Sequence, residues 1–283
     1  MPATLIVTSR RQCAIFLDQL ALQPAVLVRV DSTQGSVPRE AGSWMAVFAN
    51  ELVGSIGGGH LEHEAIASAR RYLHALPSGV PESGWPMQLR YALGPALGQC
   101  CGGVVDLSFE RVSASDAAAL QARLEEAMSP VALFGGGHVG NALVNVLAGL
   151  PFSVTWIDSR DGVFPTDVPS GVVCEHSGPV HRAVRTLAPQ SRVLIMSFSH
   201  AEDLDVVAAC LLRQRESADL PYVGLIGSQT KWATFRHRLE ARGFSAAEMA
   251  HVTSPIGVAG IPGKEPEVIA VAVAAQLLQT LSR

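Results

Sequence analysis

Val131-Ala132-Leu133-Phe134-Gly135-Gly136-Gly137-His138-Val139-Gly140 is the stretch that decides the fold. Four apolar residues in a row, with no polar alternation, read as a strand buried on both faces, as in a parallel sheet. The glycines at 135, 137 and 140 follow in the spacing G-x-G-x-x-G and open a helical segment, His138 to Ala148, that Gly149 closes. This spacing gives a tight turn, a bare backbone that a phosphate can approach, and a helix N-terminus presenting unpaired N–H groups to an anion. Asp158 stands 18 residues after Gly140, at the end of the next apolar strand, Val154 to Ile157. A carboxylate that accepts from a ribose hydroxyl is expected at an offset of about 20 residues.

Outward from that unit the C-terminal half alternates strand and helix. Val172 to Cys174 reads as a short strand, and Pro179 to Ala188 as a helix with proline in its first turn. Strand Arg192 to Ser197, helix Asp203 to Arg215, strand Tyr222 to Ile226, helix Thr230 to Ala241 and a last helix from Pro266 to about Leu281 follow. Apolar strands separated by helices predict a Rossmann-like doubly wound parallel sheet over residues 129–283. NAD(P) is the cofactor such a site implies, held by Gly135, Gly137, Gly140 and Asp158, and a nicotinamide-dependent oxidoreductase is the activity that would go with it. No convincing catalytic acid or base accompanies the site. His200, with Glu202, Asp203 and Asp205, falls at the carboxyl edge of the sheet, where ligands bind in this fold. A first turn enriched in acids explains the same cluster.

Residues 1–128 have a different grammar, that of an α+β domain of short strands and helices. Ala25 to Val30 reads as a strand and Asp31 to Gly42 as a loop. Trp44 to Ala49 and Leu52 to Ile56 read as a hairpin around Asn50 and Glu51. Gly57-Gly58-Gly59-His60-Leu61-Glu62 then opens a segment with helical spacing at Leu61, Ala65, Ala69 and Leu73. Three glycines suit a nest of N–H groups around an oxyanion, with His60 and Glu62 adding polar contacts, and they equally suit an ordinary turn. Strands Met87 to Leu93 and Val104 to Phe109 flank a glycine-rich loop that carries Gln99, Cys100 and Cys101. Ser113 to Met128 reads as one alanine-rich helix, capped by Ser113 with Asp116 behind it.

Composition narrows the function classes. The chain of 283 residues is 48% hydrophobic and 16% charged, with 26 glycines and a formal net charge of -4. So much apolar surface excludes intrinsic disorder. A slightly negative balance argues against nucleic-acid binding, and no apolar run approaches the roughly 18 residues of a membrane span. The absence of a secretory pattern makes the cytoplasm the expected compartment. Five cysteines, two of them adjacent, do not make a disulfide framework. Cys100 and Cys101 read as free thiols, either soft-metal ligands or small buried residues. Cys13, Cys174 and Cys210 stand alone, without zinc or iron–sulfur spacing.

Four segments together resemble the XdhC/CoxI family of xanthine dehydrogenase accessory proteins: Gly54 to Glu62, Leu93 to Gly103, Val223 to Ser228, and Ser254 to Glu265. They occur in order along almost the whole chain. The resemblance implies a chaperone and not an enzyme. It would bind the molybdenum cofactor in its molybdopterin form, protect it while a cysteine desulfurase supplies the sulfido ligand, and deliver it to the molybdenum subunit of apo xanthine dehydrogenase. It also implies that Gln99-Cys100-Cys101 holds the cofactor, with Cys100 or Cys101 as the molybdenum contact. A homodimer is the expected assembly, C2 being the commonest symmetry. The chain departs from the family where Gly58-Gly59 precede His60 in place of cysteine, and where Ser197-Phe198-Ser199-His200 lacks the first histidine of a Thr-His-x-His pattern.

Overall fold

The computed structural model describes residues 10–74, 87–93, 102–126 and 128–281. The chain forms two compact units, residues 1–128 and 129–283.

The first unit runs α1 (Arg10–Leu22), β1 (Ala25–Gln34), β2 (Trp44–Val47), β3 (Leu52–Gly54), α2 (Gly59–His74), β4 (Met87–Ala92), β5 (Val104–Val112) and α3 (Ala117–Glu126). Its five strands form an antiparallel sheet in the order β3-β2-β1-β5-β4. Central strand β1 explains why its sequence lacks alternation. Ala25 and Leu27 face a cluster with Phe16, Leu20 and Leu120 of α1 and α3, while Val26, Val28 and Val30 face Leu61, Ala65 and Ala69 of α2. Both faces are covered, so both must be apolar.

Two expectations need correcting here. Residues 31–34 are strand rather than loop, because nine-residue β5 pairs with β1 as far as Gln34, across a bulge between Val30 and Ser32. Polar side chains on that stretch find cross-strand partners: Ser108 donates to Asp31 at 2.8 Å and Ser32 to Asp106 at 2.6 Å. Residues 113–126 are not one helix either. A 3-10 turn at Ala114–Asp116 precedes α3, tightened by the Ser113 N–H donating to Asp116 at 2.8 Å. α1, for which the sequence reading offered no element, buries Cys13, Phe16 and Leu20 on one face, with Leu17 packed beside them.

The second unit contains β6 (Ser129–Phe134), α4 (His138–Leu147), β7 (Phe152–Asp158), β8 (Val173–His176), β9 (Arg192–Ile195), α5 (His200–Ser217), β10 (Tyr222–Leu225), α6 (Gln229–Ala241), α7 (Ala246–Met249), β11 (Val252–Thr253) and α8 (Pro266–Gln279). The six strands are parallel, in the order β11-β10-β9-β6-β7-β8. This is the doubly wound Rossmann order, whose direction reverses between β6 and β9. β6 is the axis of the core. Ala132 and Phe134 pack with α5 and α6, and Val131 and Leu133 pack with α4 and α8. Val180–Thr186 is a 3-10 helix rather than the expected α-helix, and Pro179 stands just before it, extended. α5 begins three residues earlier than expected, since Ser199 accepts the Glu202 N–H at 3.2 Å and caps it.

Candidate functional site

The loop after β6 is built by its glycines. Gly135 has φ +121, and a Cβ there would collide with the carbonyl of Met196 at the end of β9. A Cβ on Gly140 would collide with the Gly135 carbonyl, so the first turn of α4 lies directly on the strand end. Gly137 differs, because a Cβ there would meet nothing within 4 Å. It is the N-cap of α4, offers no capping side chain, and is followed by no acid in the first turn. The helix N-terminus therefore keeps donors and positive potential facing open space.

Asp158 sits where the spacing puts it, but its carboxylate is fully engaged. Gly136 N–H donates to one oxygen at 2.6 Å, and the Arg160 N–H donates to the other at 2.9 Å. The Arg160 guanidinium adds two bonds at 2.9 Å, one to each oxygen. A carboxylate has about four lone-pair sites, and all four are used. The residue is 2% exposed. Burial alone would raise its pKa, but the bonds from Arg160 and Gly136 outweigh burial and hold it below the usual carboxylate range.

Two further contacts cross the end of β6. Ser159 donates to Glu202 at 2.6 Å, and the Arg160 guanidinium stacks 4.6 Å from the ring centroid of Phe198. Ser159 and Arg160 follow β7, whereas Phe198 and Glu202 follow β9. β6 lies between those strands, so both contacts span the glycine loop. Two buried polar atoms in this crevice have no hydrogen-bond partner: Glu202 Oε2 and Ser197 Oγ. Phe198 is 68% exposed, an unusual position for a large ring. Beneath them Asp203 accepts from the Ser197 N–H at 2.7 Å and from Lys231 at 2.6 Å, and Lys231 also reaches the Ile226 carbonyl. This buried ion pair fixes the loop after β9 against α6.

His200 packs toward α6 and not toward β7. Its ring meets Phe235 edge-on at 6.2 Å and borders a cavity of about 330 Å³ shared with Ser228, Thr230, Lys231, Thr234 and Arg238.

In the N-terminal unit the triple glycine turn is closed from within. Glu62 Oε2 accepts from Ser55 Oγ at 2.6 Å, and from the N–H groups of Ile56 and Gly58 at 3.0 Å each. Of the donors of the expected oxyanion nest, the Gly58 N–H thus already faces a carboxylate of the chain itself, and the Gly57 N–H donates to Ser55 Oγ at 3.1 Å. Gly57 has φ +119, and a Cβ would meet Pro38 at 2.7 Å, which packs the 36–39 loop on this turn. Gly103 packs against the same loop: a Cβ would lie 2.5 Å from the Ser36 carbonyl. Leu93 N–H donates to the Gly103 carbonyl at 2.7 Å, pinching together the ends of the segment between them. Gln99, Cys100 and Cys101 lie outside the described residues. His60 is about half exposed, with Glu64 one turn away at 3.6 Å.

The described thiols have no such setting. Cys13 and Cys210 are buried, and burial pushes Cys210 up to about 12; Cys174 is exposed. Among the described residues no group of three or more His, Cys, Asp or Glu side chains is disposed to hold a metal ion, and no helix is long and apolar enough to cross a membrane.

Arg160, Ser159, Phe198 and Ser197 are crevice residues that sequence reasoning missed. An arginine two residues after the acid that ends the second Rossmann strand was the available signal.

Comparison with known proteins places the chain. The model of the XdhC Rossmann domain matches residues 131–277, and that of the XdhC and CoxI family matches residues 20–82. A crystal structure described as a xanthine dehydrogenase from Bacillus halodurans superimposes with a TM-score of 0.73 over 96% of each chain, at 19% identity. YqeB, an uncharacterized protein of Escherichia coli strain K12, is 24% identical over 258 residues, which are 90% of this chain and 43% of that relative. The chain thus spans less than half the length of that curated relative. With the Rossmann match covering more than half of its residues, the chain belongs to the XdhC and CoxI family.

Proposed function

We propose that the chain is an accessory factor in xanthine dehydrogenase maturation, and that its cargo is the molybdenum cofactor. It receives the cofactor, shields it while a cysteine desulfurase supplies the sulfido ligand, and hands it to the molybdenum subunit of the apoenzyme. The observation that carries this reading is that both halves of the chain match one family in order.

The N-terminal unit offers chemistry suited to that cargo. Molybdopterin brings its own dithiolene sulfurs to the metal, so it asks the protein for a soft donor and a firm backbone surface, not for a multi-residue metal cluster. Cys100 and Cys101 are the soft donors. The ends of their segment, Leu93 and Gly103, are tied together, and Gly103 rests on the same loop as the glycine turn. Glu62 makes that turn rigid. In this reading the chain performs no turnover of its own, works as a homodimer, and transfers its cargo from protein to protein.

The test is cargo content. The protein is purified from cells that make molybdenum cofactor, oxidised, and assayed for released pterin fluorescence. Wild type should release pterin, and a Cys100→Ser, Cys101→Ser double variant should fall to background. Equal pterin in both would remove the thiols from the reading, and none in either would remove the cargo.

A further inference from the structure

We propose that the crevice over β6 binds a nucleotide whose sugar diol is held by Glu202 and Ser197, with Asp158 serving as a strut and not as the sugar ligand. Position argues for the crevice first. It lies at the carboxyl ends of β6, β7 and β9, where the strand order reverses. Gly137 leaves the N-terminus of α4 bare, and that N-terminus suits a phosphate.

The sugar contact follows from what is left unpaired. A buried acceptor without a donor gives up its hydration with nothing in return, so native proteins seldom leave one. Asp158 has none to offer, since its four lone pairs are taken and its side chain is covered. Glu202 has one oxygen satisfied by Ser159, and the other is buried and unpartnered. The Ser159 bond draws this carboxylate across the glycine loop, between strand ends that are not neighbours. Ser197 Oγ is the second orphan, and its backbone N lies 3.1 Å from where a Gly135 Cβ would stand. A vicinal diol supplies two O–H donors to two such acceptors. Phe198 completes the match: Arg160 stacks on its ring, and its large exposure leaves surface for a base.

This inference is independent of cargo binding in the N-terminal unit, because pterin content and nucleotide affinity are separate measurements. Calorimetric titration of the whole chain would use ADP and CDP, each against its 2′,3′-dideoxy form, with NAD as a further arm to distinguish a dinucleotide from a mononucleotide source. At least one diphosphate should bind, and its dideoxy form should bind about 10- to 100-fold more weakly, the value of hydrogen bonds to a charged acceptor. That gap should shrink in Glu202→Gln and in Ser197→Ala. It should persist in Asp158→Asn, even though that variant melts earlier. Failure of both diphosphates to bind at millimolar concentration overturns the proposal. So does equal binding of diol and dideoxy forms by the wild type, a measurement that does not depend on any variant folding. A gap abolished by Asp158→Asn and untouched by Glu202→Gln would return the sugar to Asp158.

Discussion

Gly57-Gly58-Gly59-His60 and Gly135-Gly136-Gly137-His138 are the same four residues, and each leads from a strand into a helix. They are built for different ends. In the first, Leu61-Glu62 follow, and the Glu62 carboxylate turns back to accept two backbone N–H groups of the turn. In the second, Val139-Gly140 follow. No acid stands in the first turn of α4, and the carboxylate that meets the loop comes from β7. The first turn contains its own counter-charge and becomes a rigid corner. The second leaves its helix end open and hands one N–H to a strut. Identical glycines do not make identical sites; the next two residues decide whether the donors are met from within the turn or left open.

The largest expected effects separate the two turns by contact. Gly140→Ala would drive a methyl into the Gly135 carbonyl, and Gly135→Ala would drive one into the Met196 carbonyl while also forcing φ +121 on alanine. Backbone cannot yield as a flexible side chain can, so each should cost roughly 3 kcal/mol or more through overpacking, with backbone strain adding to it at Gly135 alone. Equilibrium denaturation followed in the C-terminal unit checks this. A loss under about 1 kcal/mol would mean the loop is looser than its geometry.

Asp158 comes next. Asp158→Ala removes four hydrogen bonds and strands Arg160, whose side chain is 35% exposed and keeps water as a partial substitute. About 2 to 3 kcal/mol is expected at neutral pH, below the 3–5 kcal/mol of a fully buried pair. The folded pKa is depressed, so this contribution is fully present above the unfolded value near 4 and is lost as pH falls through the folded value. The gap between wild type and variant in urea melts should therefore narrow as the pH is taken below about 4. A gap that widens with acid would contradict the assignment.

The sequence revealed the fold more readily than the crevice, for physical reasons. β6 and β1 are apolar on successive residues because helices cover both faces, and that pattern is visible in a string of letters. Gly135 to Gly140 and the offset to Asp158 likewise placed a Rossmann loop correctly. What spacing could not show was that Arg160, two residues on, would use up the acid that the motif nominates. Nor could it show that Ser159 and Glu202, 43 positions apart, would meet over β6. Such pairings depend on strand order, which is a tertiary property. The 3-10 geometry of residues 180–186 escaped similarly, since apolar Val180, Ala183 and Val184 fit one face of either helix.

Smaller effects test the N-terminal turn. Glu62→Ala should cost about 1 to 2 kcal/mol, because the N–H groups of Ile56 and Gly58 lose a charged acceptor, though water can reach part of the site. If the turn is a nest held shut by its own carboxylate, that variant should also regain stability on adding phosphate, which the wild type should not. Gly58→Ala is the mildest change. A Cβ there meets nothing within 4 Å, so the cost is only that of holding alanine at φ +74, about 1 kcal/mol. The contrast with Gly140→Ala is the sharp part. Both replace a glycine by one methyl in a GGGH-led turn, and thermal melts should rank them apart by a factor of about three in free energy. Equal costs would show that the first turn of α4 shifts to admit the methyl, because Gly140 is helical and only Gly58 carries conformational strain.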